Sequence, residues 1–188
     1  MKQEFYDAIT SNPIVAAIKD DDGLINCLTL GDIGVVFILY GEISNIVDIV
    51  KKIKEAGRTA VVHMDLVAGL SSRVEAVDFI ANYTEADGII STHSDQLRRA
   101  KELGLSTIYR IFLIDSKVLD KLNGRIKEYA DIVEILPGLM PKMITQLADK
   151  LNVPVIAGGL IQDKEDVLAA LNAGAIAISS TNEEVWNL

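Results

Sequence analysis

The sequence predicts a compact parallel β/α barrel of the TIM type, (β/α)8, and three observations carry that expectation. About eight short apolar runs alternate with helically periodic segments, the rhythm of repeated βα units. The hydrophobic fraction is 49% with only 5% aromatics, the aliphatic composition of parallel strands covered on both faces. Near the end, Val153–Gly159 (VPVIAGG) is followed by the strand-like run Ala175–Ser179 and then Ser-Thr-Asn. In a barrel, the loops after strands seven and eight turn backbone N–H groups towards the C-terminal mouth, where glycine lets an anion approach closely. The 188 residues are read as one domain, short of the ~250 typical of a full barrel, so some element must be trimmed.

The strands are expected at Ile14–Ile18, Gly34–Leu39, Thr59–Asp65, Asp87–Thr92, Ser106–Phe112, Asp131–Leu136, Val153–Gly159 and Ala175–Ser179. Between the first two, Asp20–Leu30 is expected to form one or two helical turns. Ser44 is placed as the N-cap of a helix running to Glu55, with Gly57 as its stop. Further helices are expected over about Ser72–Tyr83, where Val74, Val77 and Ile80 share a face, and over Ser94–Leu103 before Gly104. Others follow from Asp115 or Ser116 to about Tyr129 with Gly124 as a weak point, near Pro141–Leu151, and over Asp163–Asn172 before Gly174. Asn182–Leu188 is too short for an outer helix. This truncated C-terminal helix predicts a gap that a second copy would cover through Val185, Trp186 and Leu188, hence a homodimer.

A net charge of −9 provides no global field for nucleic acid, so any RNA contact must be local. The single cysteine, Cys27, makes neither an internal disulfide nor a cysteine-rich metal site. The opening MKQEFYDAIT lacks a signal-peptide core, and no apolar run approaches the ~20 residues of a membrane span, so a cytoplasmic location is expected.

Strand ends converge on one mouth, which gathers Lys19, His63, Asp65, Arg110, Glu134, Gly158, Gly159, Ser179 and Ser180. His63 and Asp65, two apart on a strand, are expected to face the same way. Arg110 in IYRIF requires an anionic partner, and Glu134 in IVEIL on the neighbouring strand is one, although both a structural ion pair and ligand contact are open to it. Gly158, Gly159, Ser179 and Ser180 are expected to bind phosphate; Lys19, His63, Asp65, Arg110 and Glu134 are candidates for the ligand pocket, where Lys19 equally fits a surface lysine and His63 a core histidine that satisfies backbone partners. No serine sits in a nucleophile elbow, and no zinc spacing such as HExxH occurs. Neither a metal nor a cofactor is expected, and Asp20, Asp21 and Asp22 read as a solvated acidic run.

In order along the chain, PIVAAIKDDD (Pro13–Asp22), His63-Met-Asp-Leu with Gly69-Leu, ADGIISTHS (Ala86–Ser94), RIFLIDS (Arg110–Ser116), EILPGLMP (Glu134–Pro141), PVIAGGLI (Pro154–Ile161) and ISSTNEEVW (Ile178–Trp186) closely resemble the glycerol-3-phosphate-responsive antiterminator family. The resemblance implies a non-catalytic regulator that senses the effector glycerol 3-phosphate and binds the leader mRNA of a glycerol-utilisation operon to prevent termination. Its RNA surface is sought at the local basic clusters Arg98, Arg99 and Lys101, and Lys117, Lys121, Arg125 and Lys127, which equally fit solvated helix faces. Two other readings stay open. One is a barrel enzyme for a small sugar or glycerol phosphate, with Asp65 or Glu134 as base and His63 as acid; the other is a sensor that acts on a protein partner.

Overall fold

The computed structural model describes residues 2–122 and 125–188, with the side chains of Asp120 and Lys121 outside that description. Eight parallel strands close on themselves in sequence order: β1 Ile14–Ile18, β2 Val35–Ile38, β3 Thr59–His63, β4 Gly88–Ser91, β5 Ser106–Phe112, β6 Ile132–Leu136, β7 Val155–Gly158 and β8 Ala177–Ser180. The last pairing, Val15 with Ser179, joins β8 to β1 and completes the barrel.

Period-two alternation divides each strand between two cores. Val15, Ala17, Val35, Phe37, Val61, Ile90, Ile108, Ile132, Ile156 and Ala177 fill the barrel interior, whereas residues of opposite parity, such as Ala16, Val36, Val62, Val133 and Ile178, pack under the outer helices. The interior cluster also takes Phe5 and Ile9 from α1 (Gln3–Ser11). This helix precedes β1 and closes the N-terminal end of the barrel. The strand expectations did not include it, although Phe5 and Ile9 stand at the i, i+4 spacing of one helix face.

Other helices differ from expectation for local reasons. Asp20–Leu30 holds a nine-residue helix, α2 (Asp21–Thr29), because the Asp20 carboxylate accepts from the Gly23 N–H at its start. At its end Arg58 donates to the carbonyls of Cys27, Leu28 and Leu30. The helix α3 starts at Ile46 and runs to Glu55; the Asn45 side chain accepts from the Glu42 N–H, and Ser44 is not the cap. The next helices are α4 (Glu75–Tyr83) and α5 (Ser94–Glu102). The long helix expected to reach Tyr129 is instead α6 (Ser116–Lys121), capped by Asp115, with a separate 3-10 turn at Ile126–Glu128; Gly124 lies outside the described residues. The barrel is completed by α7 (Pro141–Lys150), α8 (Lys164–Asn172) and the single turn α9 (Glu183–Trp186).

The truncated last helix does not leave the expected gap. Val185 and Trp186 are buried within the chain, the indole Nε1–H donates to the Ser180 carbonyl at 2.8 Å, and α9 packs on β1 and α2. Gly23 of α2 lies against the Trp186 ring, where a Cβ would stand at an ordinary contact distance of 3.7 Å. Of the three residues assigned to a second copy, only Leu188 is exposed.

Candidate functional site

Five interior positions turn polar or small at the C-terminal end of the barrel. Two residues beyond the interior Val61, Ile108, Ile132, Ile156 and Ala177 stand His63, Arg110, Glu134, Gly158 and Ser179, which by strand alternation point to the same interior. The sequence spacing alone thus builds a polar layer on top of an aliphatic core. Above it opens a cavity of about 620 Å3 lined by Lys19, Arg110, Ser179, Ser180, the loop Gly159–Gln162 and the segment Thr181–Glu184, with Ala17, Leu39 and Leu136 as apolar floor.

Glu134 organises the layer. Fully buried, it accepts from Arg110 Nε at 2.6 Å through Oε2 and from the Ser179 hydroxyl at 2.6 Å through Oε1. The register that sets Arg110 directly opposite Glu134 on β5 and β6 makes the pair inevitable once the strands align. Gly158 completes it by absence: a Cβ there would fall 2.6 Å from Ser179 Oγ and 2.7 Å from Glu134 Oε1. Gly158 therefore faces the carboxylate, while Gly159, Ser179 and Ser180 line the cavity. Arg110 is 7% exposed, yet its two terminal nitrogens donate to no group among the described residues. A guanidinium held by Nε with its fork unspent is a ready donor site for an oxyanion.

The β7 and β8 loops are tied into one wall. Ser180 Oγ donates to the Ile161 carbonyl at 2.8 Å, Asn182 Nδ2 donates to the Gln162 carbonyl at 2.9 Å, and the Gly138 N–H from the β6 loop donates to the Gly159 carbonyl. Gly159 and Leu160 both take positive φ, 76° and 64°. Glycine bears this freely, whereas leucine does so at a cost of order 1 kcal/mol, the kind of strain concentrated at ligand loops. Among the described residues the N–H groups of Leu160, Ile161 and Thr181 donate to nothing in the chain. Sequence reading singled out the glycines and serines, but the unspent donors belong to the residues just after them, along with the polar side chains of Gln162 and Asn182. Their position flanking AGG and SST was the available signal.

His63 and Asp65 part company. The strand β3 ends at His63, and Asp65 lies in a 3-10 turn over Met64–Leu66, so strand alternation no longer applies to it. Asp65 turns to the β4–α5 loop. It accepts from the Thr92 N–H and hydroxyl, both at 2.8 Å, lies 3.0 Å from the Ser91 hydroxyl, and stands 3.4 Å from His93 Nδ1. Burial works to raise its carboxyl, but the two Thr92 bonds, His63 and Ser91 outweigh it and hold the group below the usual carboxylate range. His63 stays in the interior, 3% exposed, with Nδ1 unbonded among the described residues. Burial first, then the Arg110 charge, push its pKa down to about 4 against the opposing pull of Asp65 and Glu134. Lys19 is exposed at the mouth.

The basic residues of the outer helices are largely occupied. Arg99 is forked onto Asp78 and reaches Glu102, Lys101 pairs with Asp131 at 3.1 Å, and Arg125 pairs with Glu128. Arg98 lies over the Tyr129 ring at 6.0 Å. Lys117 and Lys127 are exposed; the Lys121 side chain lies outside the described residues. No helix of the described chain is long and apolar enough to cross a membrane, and no cluster of three metal-binding side chains occurs among the described residues. Asp20 and Asp21 are engaged instead by the α2 cap and by the Tyr40 hydroxyl at 2.8 Å.

The model of the glycerol-3-phosphate responsive antiterminator family matches residues 14–186. The chain is 41% identical over 181 residues to the uncharacterized protein YgcP of Escherichia coli K12, covering 96% of this chain and 94% of that one. The crystal structure of a glycerol uptake operon antiterminator regulatory protein from Listeria monocytogenes superimposes with a TM-score of 0.88 at 33% identity, covering 93% and 94% of the two chains. A glycerol uptake operon antiterminator-related protein from Thermotoga maritima gives 0.79 at 31% identity, with 94% and 99% covered.

Proposed function

Because the chain belongs to the glycerol-3-phosphate responsive antiterminator family, we propose that it binds glycerol 3-phosphate in the barrel mouth and relays occupancy to the leader mRNA of a glycerol-utilisation operon. The observation that carries the ligand half is that one cavity is lined both by Arg110, with its terminal nitrogens unspent, and by Leu160, Ile161 and Thr181, whose N–H groups are unspent among the described residues. The phosphate sits between them, at the turn made by Gly159 and Ser180 and within reach of Lys19. The glycerol arm lies over Ala17 and Leu39, with Ser179, Glu134 and His63 as the wall behind Arg110. Occupancy ties the β7 and β8 loops to the floor, and that tie is the differential contact a ligand-driven population shift needs.

An acid–base enzyme is disfavoured by the same geometry. With a pKa of about 4, His63 is not the imidazolium that a general acid requires near neutrality, Glu134 is committed to Arg110 and Ser179, and Asp65 serves the β4–α5 loop. A second regulatory reading, action on a protein partner, is favoured by one observation: Arg99, Lys101 and Arg125 already hold carboxylates.

Calorimetry with glycerol 3-phosphate, glycerol and inorganic phosphate tests the ligand. Saturable binding is expected for the intact ester, with a loss of about 10- to 100-fold in Arg110→Gln, the worth of one to two charge-assisted hydrogen bonds. Equal response to phosphate alone reduces the site to a generic anion cup. Leader RNA titrated with and without the ester then separates the RNA reading from the protein-partner reading.

A further inference from the structure

The cavity carries charge that a phosphate monoester alone leaves unused. Its floor carries Arg110, nine-tenths buried with its terminal nitrogens unspent, and its rim carries two exposed carboxylates, Glu183 and Glu184, beside Lys19. The Glu184 carboxylate makes no hydrogen bond among the described residues, and Glu183 uses only Oε2, which accepts from Asn26 at 2.8 Å. Carboxylates on the rim of an anion cup repel a dianion unless the ligand brings its own positive charge. The volume points the same way. At about 620 Å3 the cavity falls in the ~300–1,000 Å3 range of drug-sized ligands, and a three-carbon phosphate leaves much of it to water.

We propose that the cavity takes a zwitterionic phosphodiester: a polyol arm over Ala17 and Leu39, a singly charged phosphate between Arg110 and the N–H groups of Leu160, Ile161 and Thr181, and an ammonium-bearing arm reaching Glu183 and Glu184. This rests on the anion cup proposed above and extends it outward. A diester halves the charge that the rim carboxylates oppose, and its second arm places a cation where they stand. Two adjacent exposed carboxylates without a third ligand make a poor cage for a hard divalent cation, which takes six or more oxygens, but a good partner for an ammonium group.

The test is a double variant, Glu183→Gln with Glu184→Gln, titrated at low salt with sn-glycero-3-phosphoethanolamine and with glycerol 3-phosphate, a thermal melt serving as the folding control. Glutamine keeps the acceptor used by Asn26. Two exposed ion pairs worth about 0.2–1 kcal/mol each predict that the diester weakens by roughly two- to thirtyfold while the monoester tightens, and that both shifts fade at high salt. Opposite signs support the proposal. Shifts of the same sign, no shift, or wild-type protein that binds the monoester but not the diester overturn it and leave the glycerol 3-phosphate reading standing. Binding of the diester alone overturns that reading instead, and binding of neither overturns both.

Discussion

His63 shows how one buried residue couples the site to pH. Its neutral form is favoured in the folded chain, with a pKa of about 4 against 6.5 for the free side chain. Between those values the unfolded chain binds the extra proton, so stability rises with pH there: the full contribution is present above pH 6.5 and is lost as pH falls towards 4. The loss amounts to about 3 kcal/mol. Urea denaturation between pH 7 and 4 is expected to show that slope, and His63→Leu to flatten it; Asp65, whose carboxyl is held low, acts only below that window. An unchanged slope in the variant would assign the acid limb to other groups. The polar layer was partly legible from residues alone. Arg110 and Glu134 were paired from the cost of burying a charge and from adjacent strands, and the register confirms them. Gly158 was not legible in its packing role, because that depends on how closely a carboxylate from the next strand approaches. Asp65 was misplaced because β3 ends two residues sooner than its apolar run implied.

Among elements, the strands were the most legible, since parallel strands buried on both faces leave continuous aliphatic runs that no helix period explains. Helix ends were less so. Asp20 looked like one of three solvated acids until its bond to the Gly23 N–H identified a cap, and the Trp186 stub looked uncovered until α2 was seen to pack on it. The missing element was α1, whose Phe5 and Ile9 seal the interior core at the end opposite the cavity. That separation makes a test of the division of labour between the two ends. Phe5→Ala is expected to cost about 3–5 kcal/mol, read from the denaturation midpoint at constant m-value, while ligand affinity in the folded fraction stays unchanged. A parallel loss of affinity would show that the bottom plug and the mouth are coupled.

At the scale of the whole molecule, a net charge of −9 opposes the polyanion named in the proposed function. Under the leader-mRNA contact proposed above, that opposing field has to be overcome locally. On the face formed by α5, α6 and the turn after it, Arg99, Lys101 and Arg125 are held by acids. Arg98, Lys117 and Lys127 are exposed there and form no ion pair among the described residues. Each phosphate neutralised on single-stranded RNA contributes about −0.7 to the slope of log affinity against log salt, so three such cations set a slope of about −2. Leader RNA titrated between about 50 and 200 mM salt is expected to give that shallow dependence, with Arg98→Gln and Lys117→Gln each reducing its magnitude. A steep slope would mean that the ligand-bound chain breaks its own ion pairs to free Arg99, Lys101 and Arg125. In that case occupancy of the mouth would control the RNA face through those carboxylates, and Asp78→Asn with Glu102→Gln, which together release Arg99, should raise RNA affinity even without ligand.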